Sequence, residues 1–254
     1  MANHKKSCLV TGATSGLGQH CATALAESGW SVTATGRRPQ SEADLPEAVR
    51  YVSVDLSSES AVLKLAGEFE TCPDMVVHCG VLYPPSDHDG NPDYATMSRI
   101  FQVNAFAPIR LSEALLKSKP QDRCVSFVFI NSEAMFAADG HAGPYAASKA
   151  ALRVLTASFA HRCRDQNAKA STLLLGPLSN YKKQQELAAI AQKHGVPAEE
   201  ITRRFLRKSN PNLVIDALID FDECLESVLY IESLGTAANG MVCRLDGGSA
   251  GSLI

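Results

Sequence analysis

The sequence predicts an α/β fold: a single domain built on a doubly wound parallel β-sheet flanked by helices. Two observations carry this. Apolar runs of strand length alternate with longer stretches of helical period along most of the chain, the pattern of successive βαβ units. A glycine-rich turn, Thr11-Gly-Ala-Thr-Ser-Gly16-Leu-Gly18, joins the first apolar run to the first helical one. Such a turn lets backbone N–H groups and a positive helix end meet a pyrophosphate. The 254 residues suffice for one large domain with a substantial core.

In chain order, strands are expected at Ser7–Thr11, Ser31–Thr35, Arg50–Val54, Met75–His78, Val125–Asn131, Ala170–Leu175 and Met241–Leu245. Helices are expected at Gly16–Ser28, Ser58–Phe69, Ala95–Ser118, Pro144–Gln166 and Asp222–Ser233. Within the third helix Asn104 precedes Pro108 by four residues. Proline has no N–H to offer the Asn104 carbonyl and its ring crowds that carbonyl, so a break is predicted there. Gly143-Pro144 makes a natural start for the fourth helix. A polar, charged and largely helical stretch, about 179–212, interrupts the alternation before the last strand and reads as a substrate-covering lid. No repeat or linker divides the chain. The whole, residues 1–254, is expected to form a single Rossmann-type nucleotide-binding domain with a helical lid.

Composition narrows the function. Net charge is −3 and basic residues form no concentrated footprint, which disfavours nucleic acid. No apolar stretch approaches a membrane span, and the N-terminus runs into a strand rather than a secretory segment. The eight cysteines are scattered without a C-x-x-C pair, and most read as small buried apolar residues. No metal site is expected. A cytoplasmic, reduced protein is.

Tyr145-Ala-Ala-Ser-Lys149 places a phenol and an ammonium one helical turn apart. Ser132 lies thirteen residues before the tyrosine and Asn104 forty-one before it. With the glycine-rich turn, these motifs in this order resemble the short-chain dehydrogenase/reductase superfamily, in its branch of soluble enzymes of similar length. The resemblance covers nearly the whole chain, to Asp246-Gly-Gly248. It implies a catalytic tetrad of Asn104, Ser132, Tyr145 and Lys149. Tyr145 would be general acid in reduction and base in oxidation, with Lys149 lowering its pKa and holding the nicotinamide ribose. Ser132 would bind the substrate oxygen as charge develops. Asn104 would help hold a water that completes a proton relay.

The resemblance also implies the cofactor contacts: Gly12, Thr14, Ser15, Gly16, Leu17 and Gly18 at the first turn. Arg37 and Arg38 follow the second strand, Asp55 and Leu56 the third, Cys79 and Gly80 the fourth, and Gly176, Pro177 and Leu178 the sixth. Asn104, Tyr145 and Lys149 serve cofactor and chemistry alike. Asp55 has a second reading, as N-cap of the helix near Ser58. Where an acidic residue would select NAD through the ribose 2′-OH, this chain has Gly36 followed by Arg37. A guanidinium there pairs with a 2′-phosphate, so NADP(H) is expected over NAD(H). His78 reads as a structural strand end.

Ser132, Glu133, Ala134 and Tyr145 are the expected substrate contacts, with the loop Tyr83–Tyr94, residues Gly140–Pro144 and the lid around them. The leading expectation is an NADPH-dependent carbonyl reductase, or the reverse alcohol dehydrogenase, on a small molecule. A 3-oxoacyl-carrier-protein or polyketide-type ketoreductase is the alternative, favoured if the basic lid (Lys182, Lys183, Lys193, Arg203, Arg204, Arg207, Lys208) recognises an acidic carrier. A catalytically silent NADP-binding sensor is the third. The resemblance also implies a homotetramer, or a homodimer, that would pack through the two longest helices and the apolar tail Ser249–Ile254.

Overall fold

A computed structural model describes residues 4–85, 92–136 and 142–249. The expected pocket residues 86–91, Gly140 and His141, and the tail beyond Ser249, lie outside the described residues. Seven strands form one parallel sheet in the order β3-β2-β1-β4-β5-β6-β7. They are β1 Ser7–Thr11, β2 Ser31–Gly36, β3 Arg50–Ser53, β4 Met75–His78, β5 Val125–Ser132, β6 Ala168–Leu175 and β7 Val242–Leu245. The strand order reverses between β1 and β4, so the crevice outside their carboxyl ends is the natural ligand site of this topology. The register aligns those ends, with Thr11 beside His78 and Ser132 beside Leu175.

Central strands explain the apolar runs. β6 is buried along its whole length and β5 along all but Ser132, as parallel strands covered on both faces must be. One core packs Phe127, Phe129 and Phe159 under α2 (Glu59–Gly67), α4 (Ala107–Leu116) and α5 (Gly143–Cys163). The other packs Val10, Val77 and Val128 under α1 (Gly16–Glu27) and α8 (Phe221–Ser233). All eight cysteines are free and five are buried, in line with their apolar reading.

The long third helix divides as its sequence predicts. α3 spans Tyr94–Phe101, a π-helical turn covers Gln102–Phe106, and α4 begins at Ala107. The turn is centred on Asn104, where Pro108 removes the ordinary hydrogen-bond donor. His78 anchors the far side. It is buried against Phe129, and its Nε2 lies 2.8 Å from Ser112 Oγ, which donates to the Pro108 carbonyl. Since Ser112 spends its proton there, His78 donates through Nε2. Burial pushes its pKa down to about 3, so it stays neutral and structural.

The lid is two helices, α6 Tyr181–His194 and α7 Ala198–Ser209, joined at Gly195 in the left-handed conformation. Leu187, Ala191 and Ile201 give it a small core of its own.

At the amino end of the sheet Asp74 accepts from Ser7 N and Oγ, His4 and Arg123, with its side chain 6 % exposed. Burial alone would raise its pKa, but the bonds from Ser7, His4 and Arg123 outweigh it and hold the carboxyl below its ordinary value. Its contribution is therefore present above the unfolded carboxyl pKa and is lost as pH falls through the folded one. Asp74→Ala should lower unfolding free energy by about 2–3 kcal/mol at neutral pH in urea titrations, and the deficit should shrink in acid. A constant deficit down to strong acid would contradict this assignment.

Candidate active site

A cleft of about 1450 Å³ opens at the carboxyl ends of the central strands. Its floor depends on Gly12, which has φ of +69° and whose Cβ would stand 2.6 Å from Gly80 Cα. Only the glycine pair lets the β1 turn close on the end of β4. α1 then starts at Gly16 with no side-chain cap from Ser15 and no acidic residue in its first turn. Its first N–H groups and positive end are left for an anion. Gly12, Thr14, Ser15, Gly16, Leu17, Gly18, Cys79 and Gly80 all border the cleft, as do Gly176, Pro177 and Leu178 from the end of β6. Gly176 has a second reason to be glycine: a Cβ there would meet the Asp246 carbonyl at 2.7 Å.

The end of β2 turns on Gly36. A Cβ at this position would come within 2.4 Å of Thr14 Cγ2 and 3.0 Å of the Tyr51 hydroxyl. Thr14 and Tyr51 therefore fill the space that an acidic side chain would use. Arg37 and Arg38 border the cleft here, and their carbonyls accept from Ser53 Oγ at 3.3 Å and Tyr51 Oη at 2.7 Å. The backbone is fixed, and both side chains are exposed. Asp55 is turned elsewhere. It accepts from Ser57 N and Oγ at 2.9 and 2.8 Å; these bonds, with Arg99 and Arg37 nearby, hold its carboxyl below the usual range. Ser58, not Asp55, caps α2, and Leu56 is the neighbour that reaches the cleft.

The chemistry gathers where β5 meets α5. Ser132 Oγ accepts from Ala134 N at 3.2 Å, capping the short turn Glu133–Met135, and reaches the Tyr145 hydroxyl. Asn131 fixes both partners: its Nδ2 donates to the Lys149 carbonyl at 3.1 Å and its Oδ1 accepts from Ser132 N at 2.8 Å. Lys149 Nζ donates to the Ile130 carbonyl at 2.9 Å and stands 6.0 Å from the Tyr145 ring centre. Burial pushes its pKa down to about 8. Burial also pushes the Tyr145 phenol up, with Tyr83 adding to the rise and Ser132 opposing it. In the protein alone, then, the phenol is held protonated; the lowering expected from Lys149 is not what dominates.

Asn104 lies behind this group rather than in the cleft. Its amide pairs with the Leu82 backbone, Nδ2 to the carbonyl at 2.9 Å and Oδ1 from the N–H at 2.7 Å, and Nδ2 also reaches Ser148 Oγ at 3.0 Å. The side chain thus ties the loop after β4 to α5. Ser132, Glu133, Tyr145 and Lys149 border the cleft, whereas Ala134 enters only through its backbone. Burial raises the Glu133 pKa, while Ser249 and Asn210 beside it act the other way. The carboxyl thereby abuts the base of the lid. Tyr181 and Lys182 of the expected lid border the cleft, as do Asn131 and Phe221, which the sequence did not single out. Asn131 could have been found as a polar residue ending an apolar strand beside Ser132.

Against known proteins, the family described as short chain dehydrogenase matches residues 6–188. An uncharacterized oxidoreductase of Bacillus subtilis (strain 168), YvaG, is 28% identical over 253 residues, covering 96% of this chain and 95% of its own. The 3-hydroxyacyl-CoA dehydrogenase type-2 of Drosophila melanogaster is 31% identical over 221 residues, covering 80% and 82%. Among solved structures, L-sorbose reductase from Gluconobacter frateurii, complexed with NADPH and L-sorbose, superposes with a TM-score of 0.81 at 16% identity, covering 98% of each chain.

Proposed function

The chain belongs to the short-chain dehydrogenase family of NAD(P)-dependent oxidoreductases, and from that premise we propose that it reduces a ketone to a secondary alcohol with NADPH, or runs the reverse. The observation that carries the reading is the convergence of the Ser132 and Tyr145 hydroxyls, with buried Lys149 one turn on, at one end of the cleft. The glycine pair and the uncapped α1 terminus fit a dinucleotide, which when bound supplies or accepts the hydride. Ser132 holds the carbonyl oxygen and stabilises the charge that grows on it. Tyr145 delivers its proton to that oxygen, or takes it back in oxidation. Lys149 would hold the ribose and pass a proton on, and the backbone at Asn104 would support a water linking Lys149 to solvent.

NADPH is favoured because Thr14 and Tyr51 occupy the acidic residue's place at Gly36 while Arg37 faces the cleft. Comparing kcat/KM with NADPH and NADH tests this. Wild type should prefer NADPH, and Arg37→Ala should reduce that preference by roughly tenfold to a hundredfold, the worth of a charge-assisted bond. An Arg37→Ala enzyme with the wild-type ratio would exclude the assignment.

The carrier-protein reading is weakened by the lid itself. Lys183 pairs with Glu186, Arg204 with Glu200, and Arg203 and Arg207 with Asp216. Two of those pairs lie within the lid and two reach Asp216 just beyond it, which fits a solvated helical cover and a small-molecule substrate. Phe106 and Val154 expose 49% and 70% of their surface, and fit packing against further copies in a homotetramer. No helix among the described residues is long and apolar enough to cross a membrane, and free cysteines fit a reducing, cytoplasmic setting.

A further inference from the structure

Tyr83 lies in the loop after β4 and is 60% exposed, so little packing holds its ring. That ring nonetheless lies against Tyr145, with centroids 4.7 Å apart and planes tilted by 31°. Both residues border the cleft, and the Tyr83 hydroxyl is close enough to raise the pKa of the Tyr145 phenol. The anchor for this placement is Leu82, whose N–H and carbonyl are both held by the buried Asn104 amide. The loop is thus pinned one residue before Tyr83, whose own side chain is held by little besides the Tyr145 ring.

A phenol has one proton to donate, and Tyr145 must direct it at the substrate oxygen. We propose that Tyr83 is a positioning residue that stands in for that oxygen: its hydroxyl accepts the Tyr145 proton in the resting enzyme, and the arriving carbonyl displaces it. The inference rests on the reading of Tyr145 as proton donor. Tyr83 raises the Tyr145 pKa and Ser132 lowers it, in keeping with an acceptor on one side of the phenol and a donor on the other. The other groups that face Tyr145 are Glu133 after β5, whose charge raises its pKa, and Lys149 on its own helix.

Tyr83→Phe keeps the ring and removes only the competing oxygen. With NADPH saturating, KM for a ketone should fall about three- to tenfold, the worth of one neutral hydrogen bond, with kcat nearly unchanged. In alcohol oxidation the pH profile of kcat/KM should move to lower pH, because Tyr145 then ionises more readily. Unchanged KM and an unchanged pH profile, in an enzyme whose turnover is abolished by Tyr145→Phe, would overturn the role of Tyr83 alone. Turnover that survives Tyr145→Phe, or no turnover by wild type with any ketone of a broad panel, would overturn the reading of Tyr145 as well.

Discussion

Tyr145→Phe loses about 10²–10⁴-fold in kcat, the usual worth of a positioned general acid, while binding the dinucleotide with wild-type affinity. The substitution removes one oxygen and leaves the ring that packs against Tyr83 and forms part of the buried start of α5. Ser132 keeps its own anchors, the Ala134 and Asn131 bonds, so the oxygen-binding hydroxyl stays in place. A carbonyl would still bind and still be polarised, but no phenolic proton would meet the developing alkoxide. Stopped-flow reduction together with nucleotide titration separates the two effects. Equal loss of turnover and of nucleotide affinity would mean that Tyr145 shapes the cleft rather than the chemistry.

Lys149→Met is the second large effect, and its sign in stability is opposite to its sign in activity. Turnover should fall by about 10² or more, since the group proposed to hold the ribose and carry the proton onward is gone. Folding should improve. Lys149 is 4% exposed and burial moves its pKa from 10.5 to about 8, so its charge is held at the expense of the native state near neutrality. Because the folded pKa is the lower one, the unfolded chain binds more protons between about 8 and 10.5, and wild-type stability rises with pH through that window. Methionine has no such dependence. The variant should therefore be the more stable at pH 7, with the gap narrowing as pH climbs past 8. A variant less stable than wild type at every pH would show that the bond to the Ile130 carbonyl outweighs burial of the charge.

Features set by neighbours in the chain were legible before any coordinates. The alternation of strand and helix follows from apolar spacing, and the interruption at Asn104 follows from the missing N–H of Pro108 four residues on. Boundaries shifted by a residue or two where capping decides them, as at Ser58, whose hydroxyl starts α2 at Glu59. Pairings across the fold were not legible. That Thr14 fills the space beside Gly36 depends on the β1–β2 register, and that Gly176 yields to the Asp246 carbonyl depends on the approach of β6 and β7. Asn131 reaches Lys149, and Tyr83 reaches Tyr145, across 18 and 62 residues of sequence, with no local pattern to announce either contact. The phenol's environment was the most instructive difference. Four-residue spacing put Lys149 beside Tyr145, but only the packing reveals that burial and Tyr83 keep the tyrosine protonated.

The most direct test is hydride transfer itself. The enzyme would be mixed with NADPH deuterated at the transferable position and a panel of ketones, and the products examined by mass spectrometry. Wild type should form alcohol with deuterium on the carbinol carbon in step with NADPH oxidation, and Tyr145→Phe should not. Nucleotide that binds in the cleft yet is never oxidised, with no labelled alcohol from any ketone, would contradict it and leave a dinucleotide-binding protein without turnover.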